Sequence, residues 1–148
     1  MNNPLIDKIK LLGTLKSDTK QLWGKMTAQH MIEHLILAVR TSNGKLNVGC
    51  FNPPEKWPTL KRFLLSSRPL PKEFLNPIIG ENLLPIEYKN LDEAIKILSQ
   101  EVDDYYEYFE ENPDALLLNP TFGELNKAEW DVFHEKHFTH HLSQFGIL

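Results

Sequence analysis

At neutral pH, imidazole is the side chain that most readily offers a lone pair to a metal or a proton to a substrate. This chain confines its imidazoles to two places. His134, His137, His140 and His141 lie in "HEKHFTHH", and His30 and His34 lie in "HMIEH"; no other histidine is present. On a helix, positions i, i+3, i+4 and i+7 share a face. That places Trp130, His134, His137, His141 and Phe145 on one stripe and sets His140 to its side. The same spacing groups His30, His34, Leu37, Ala38 and Thr41.

Both faces carry enough apolar residues to turn inward. An inward imidazole left unpaired costs about 1–3 kcal/mol, and several on one stripe repel one another when protonated. Two readings follow. The histidines are hydrogen-bonded core residues with Glu and Tyr partners, or they surround a divalent cation that takes their lone pairs. The i, i+4 pairs His137/His141 and His30/His34 suit the second reading, because that spacing brings two ring nitrogens to one ion. A third ligand must then come from the other helix, so the clusters would face each other. Spacing alone leaves His30 and His34 as equal candidates. Three imidazoles suit zinc, nickel or iron. "HMIEH" also fits the H-x-x-E-H pattern of inverted zinc proteases, with Glu33 as base. That reading leaves the C-terminal cluster unexplained, and Glu33 points away from His34 on the helix.

Three long amphipathic helices and a shorter one must position these residues. The first helix starts at Asn3 and Pro4, carries Leu5, Ile6, Ile9 and Leu12 on one side, and is expected to stop at Gly13. The second is expected from Thr27, its N-cap, to Thr41. The third begins in "NLDEAIKIL", where Asn90 and Glu93 read as a capping box. It buries Leu91, Ala94, Ile95, Leu98, Val102, Tyr105 and Phe109, while "EVDDYYEYFEEN" reads as a mainly solvated acidic face. The fourth begins with the Asn126/Glu129 box, and Gly146 supplies a left-handed stop. Seven of the ten prolines fall between residues 42 and 90. That stretch is expected to be a long irregular crossover with one short helix at "PTLKRFLL". Its Phe51, Trp57, Phe63, Phe74 and Ile78 are too apolar for a disordered linker. No segment shows the period-two alternation of a strand. The expected fold is all-α, a four-helix bundle in one domain spanning residues 1–148.

The net charge of −4 and a pI near 5.8 argue against nucleic acid as a partner. Cys50 is the only cysteine, which excludes an internal disulfide and a cysteine-based zinc ribbon; it reads as a packing residue. "MNNPLIDKIK" has no apolar signal core, and no apolar run is long enough for a membrane span. The cytoplasm, with no membrane partner, is the expected compartment.

"WGKMTAQHMIEHL" and "NPTFGELNKAEWDVFHEKHFTHHLSQFGIL" resemble the DinB/YfiT-like superfamily, in particular a branch of small proteins of unknown function. The resemblance implies a four-helix bundle with a long crossover and a three-histidine metal site. "IEHL" then makes His34 the first ligand, and "HFTHHLSQ" makes His137 and His141 the others. His30, His134 and His140 are not ligands in this alignment. Asn119 stands where the branch often has histidine. Three ligands leave a coordination position open, as in catalytic sites. The resemblance implies an enzyme, a hydrolase or a thiol-dependent S-transferase, acting on a small molecule of unspecified identity. It also implies a homodimer. The rival is a binding or stress-related bundle whose metal is structural or vestigial. Gln144, one turn past His141, is placed to hydrogen-bond a ligand. His30 and His134 could line the pocket. Trp130, Phe145 and Trp23 would wall it or pack in the core.

Overall fold

The computed structural model describes residues 3–72 and 83–148. Phe74, Pro77 and Ile78 of the crossover lie outside the described residues. Five α-helices occur among those described: α1 (Pro4–Leu11), α2 (Ala28–Arg40), α3 (Trp57–Leu65), α4 (Leu91–Glu111) and α5 (Lys127–Gln144). A two-stranded antiparallel ribbon, β1 (Leu117–Asn119) and β2 (Gly123–Leu125), lies between α4 and α5.

Local chemistry sets the helix ends. Thr27 accepts from the backbone N–H of His30 and starts α2, and Thr41 follows its last turn. Asn126 and Glu129 form the complete reciprocal box that starts α5. Gly146 has φ of 74°, and Ile147 N–H donates to the Leu142 carbonyl across it, which closes that helix. At α4 the box is half made. Asn90 accepts from Glu93 N–H, but the Glu93 carboxylate reaches back to Lys89 N–H instead of Asn90. At α1 the expected stops differ. Asn3 makes no side-chain cap, and the chain continues past Leu11 through a 3-10 turn, Leu12–Thr14, that includes Gly13.

α2 packs along α4, while α1 bridges α4 and α5. Their inner faces share one apolar core that includes Met31, Leu35, Leu98, Val102, Trp130 and Phe138. Fully burying such a side chain contributes about 1.5–3 kcal/mol. The apolar stripe expected on the third helix is the buried face of α4, except that Ile95 is half-buried.

The acidic stretch on α4 is mainly solvated, as expected, with one exception. Glu101 is buried and accepts from Arg40, Asn43 and Lys45. These donors outweigh the cost of burial and hold its carboxyl below the usual range. The ribbon is a correction, in a chain expected to lack strands. Its register pairs Leu117 with Leu125 and Asn119 with Gly123. Buried Asn119 makes the turn by accepting from Thr121 N–H and Phe122 N–H. Strands of three residues are too short to show alternation, so pattern reading cannot find them.

The ribbon also anchors the crossover. Phe51 N–H donates to the Pro120 carbonyl, and Asn52 donates to that of Thr121. Gly123 has φ of 84°, and a methyl group there would overlap the Trp57 ring. Gly123→Ala is therefore expected to cost roughly 2–4 kcal/mol, from left-handed strain plus overpacking. A denaturant midpoint equal to that of wild type would show that the Trp57–ribbon contact is dispensable.

Candidate metal centre

α2 and α5 present their histidines to a common point. His34 Nε2 lies 2.9 Å from His137 Nε2. His141 Nε2 lies 3.2 Å from the same atom. A ring nitrogen of each residue is within 4.8 Å of those of the other two. His137 is fully buried, and His34 and His141 are 3% and 7% exposed. Among the described residues, these three are the group of His, Cys, Asp and Glu side chains able to surround one ion.

Burial is the main reason that these imidazoles stay neutral. It holds His34 and His137 well below the ordinary histidine value, with repulsion from neighbouring imidazoles acting the same way. His141 is held at about 3, chiefly by burial, against the opposing hydrogen bond to Gln144. Neutral imidazole is the metal-binding form. A divalent ion bound at 2.0–2.1 Å by each nitrogen places neighbouring ligand atoms about 2.9–3.4 Å apart, for angles between a right angle and the tetrahedral value. The two short separations match that range.

Hydrogen bonding within the triad does not satisfy it. The Nδ1 atoms of His34 and His137 are buried without a partner among the described residues. Each neutral ring carries one proton, and one Nε2–H can serve only one neighbouring Nε2 lone pair at a time, so hydrogen bonds inside the triad cannot occupy all three converging nitrogens. With the protons on Nδ1, the three Nε2 lone pairs are free for a cation, and the three residues can surround one ion.

His134 shares the helical stripe but not the cluster. Its Nε2 is 2.6 Å from Ser42 Oγ, and its ring stacks on Trp130. Burial alone holds it at about 3. It is a core residue that ties α5 to the end of α2. Trp130 is buried too, with Nε1 donating to the Leu117 carbonyl. Gln144 does reach a triad member, because its Oε1 lies 2.9 Å from His141 Nδ1. Phe145 is in the core.

His30 and Glu33 are occupied by structural work, against the H-x-x-E-H reading. His30 Nδ1 lies 2.7 Å from Thr27 Oγ1, inside the α2 capping box. The Glu33 carboxylate accepts from the backbone N–H of Glu87 and Tyr88 and from Gln29. It clamps the end of the crossover onto α2. His30→Ala is expected to cost about 1 kcal/mol, as for loss of a cap, and to leave metal binding unchanged. Urea unfolding and metal titration of the variant check both halves.

A cavity of about 150 Å³ adjoins the triad at His34 and is lined also by His30, the expected pocket residue, and by Met26, Leu37, Arg40, Leu84 and Tyr88. Its far wall was not signalled in the sequence, because it comes from the end of the crossover.

A family model described as protein of unknown function DUF1569 matches residues 59–146, more than half of the chain. The chain belongs to DUF1569. The DUF1569 match takes in most of α3 and all of α4, the ribbon and α5, and so includes His137 and His141 but not His34. No curated protein and no solved structure matches the chain. No described helix is long and apolar enough to cross a membrane.

Proposed function

We propose that this DUF1569 chain is a metal-dependent enzyme of the DinB/YfiT-like type, with His34, His137 and His141 as ligands to zinc, nickel or iron. The convergence of three buried, neutral imidazoles from two helices is the observation that carries the proposal. A closed structural zinc site has four protein ligands. Here the described residues supply three, and the neighbouring cavity reaches His34. That favours an enzyme over the alternative of a purely structural or vestigial metal. When bound, the ion supplies Lewis acidity toward whatever fills its open position, a water in a hydrolase or a thiol in an S-transferase.

The chain's own residues do the rest. α2 and α5 hold the imidazoles neutral by keeping water out, and Gln144 orients His141. The wall formed by Met26, Leu37 and Leu84 gives a small substrate an apolar seat. Protein purified without a histidine tag and analysed for metal is expected to carry about one divalent ion per chain. His34→Ala and His141→Ala should each lose it, while Glu33→Gln should keep it. Full metal content in His34→Ala would sink the proposal.

A further inference from the structure

We propose that Gln144, held by the Trp23–Gly24 turn, is a positioning residue that fixes the tautomer of His141 and keeps its Nε2 lone pair on the centre of the triad. The inference rests on the three-histidine reading for its consequence, though not for its geometry.

The argument starts from a carbonyl. The backbone oxygen of Trp23 can only accept, so the Gln144 atom 2.9 Å from it is the amide nitrogen. That leaves the amide oxygen facing His141 Nδ1 at 2.9 Å. An amide oxygen also only accepts, so Nδ1 carries the proton. A neutral imidazole protonated at Nδ1 has its lone pair on Nε2. Nε2 is the atom 3.2 Å from His137 Nε2. The direction of one loop carbonyl thus decides which nitrogen of a distant helix residue is free to bind.

The turn is built to hold that carbonyl in place. Leu22 N–H donates to the Gln144 carbonyl at 2.7 Å, and Gln21 Nε2 donates to the Gly24 carbonyl at 3.2 Å. Gly24 has φ of 81°, and a Cβ there would lie 2.6 Å from Gln144 Nε2. The colliding atom ends a flexible side chain. A methyl group would therefore displace the amide and break the contact that aims it. Glycine is needed here for its backbone conformation and for the space that the amide fills. "WGKM" and "HHLSQFG", far apart in the chain, are thus two halves of one device.

The alternative is that Gln144 only pins the loop to the end of α5. Long-range ¹⁵N spectra of the metal-free protein separate the two. His141 is expected as the Nδ1–H tautomer in wild type and in Gln144→Glu, whose carboxylate still accepts from Nδ1. It should lose that tautomer in Gln144→Leu. Zinc affinity, measured by competition with a chelator, should fall 10–100-fold in Gln144→Leu, the range for loss of a ligand's hydrogen-bond partner. It should fall less in Gln144→Glu, which keeps an acceptor for Nδ1 and loses only the donor to the Trp23 carbonyl. Gly24→Ala should weaken zinc binding in wild type and do nothing further in a Gln144→Leu background. An Nε2–H tautomer in wild-type protein overturns the proposal without any variant. Unchanged zinc affinity in a folded Gln144→Leu protein also overturns it. If wild type binds no zinc yet shows the Nδ1–H tautomer, and Gln144→Leu abolishes it, the metal reading fails and the tautomer assignment stands.

Discussion

Saturation of the tag-free protein with zinc or nickel is expected to raise its unfolding temperature by about 8–16 °C, and His137→Ala is expected to abolish the rise. The size follows from mass action. A ligand that binds only the folded state stabilises it by about 4 kcal/mol at a thousandfold excess over its dissociation constant. For a domain near this size each kcal/mol moves the midpoint by about 2–4 °C. His137 is the residue to change because it lies between the others, 2.9 Å from His34 and 3.2 Å from His141. Its loss leaves two imidazole ligands, His34 and His141. The quantity to compare is the shift on adding metal, since losing a buried ring changes the metal-free midpoint by itself. A chelator should reverse the shift in wild type, and His30→Ala should keep it. A rise of equal size in His137→Ala would place the ion elsewhere.

The second large effect needs no metal. With chelator present, stability is expected to fall steeply between about pH 6.5 and pH 3. An unfolded histidine titrates at about 6.5, whereas folded His134 and His141 do so at about 3. Above the higher value neither state binds the proton, and the stability contributed by neutral burial is fully present. Between the two values the unfolded chain binds it and the folded chain does not, so stability is lost as pH falls. Each such group contributes a slope of about 1.4 kcal/mol per pH unit, or about 2 kcal/mol by pH 5. For His134 and His141 together that is about 4 kcal/mol, and His34 and His137 act in the same direction. Glu101 and Asp104, whose carboxyls are held low, add their loss only in the more acid carboxylate range. His134→Phe should remove one histidine's share of the slope. It leaves the triad intact, and Ser42 still donates to the Val39 carbonyl. Denaturant midpoints measured from pH 7 to 4.5 test this, and a flat profile would mean that the imidazoles are not buried neutral.

Much of this protein is local chemistry and therefore legible in its residues. The 3.6-residue period places Trp130, His134, His137 and His141 on one buried face of α5. Caps at Thr27 and Asn126, and the left-handed Gly146, act within a few residues of themselves. His30 joins the Thr27 cap by the same short-range chemistry, although spacing alone left it level with His34 as a ligand.

Other features depend on partners remote in the chain. Glu101 is buried because Arg40 and Lys45 reach it from the end of α2 and the loop beyond. The ribbon is held by a turn asparagine and by Trp57 lying on Gly123, where no alternating pattern exists to read. The stripe on α5 shows the division most sharply. Periodicity brings three imidazoles inward together and cannot rank them. Packing of α5 against α2 turns His137 and His141 onto His34 and gives His134 to Ser42. Helical phase is a property of the backbone alone, whereas the partner that a buried ring meets is set by which other helix lies across from it.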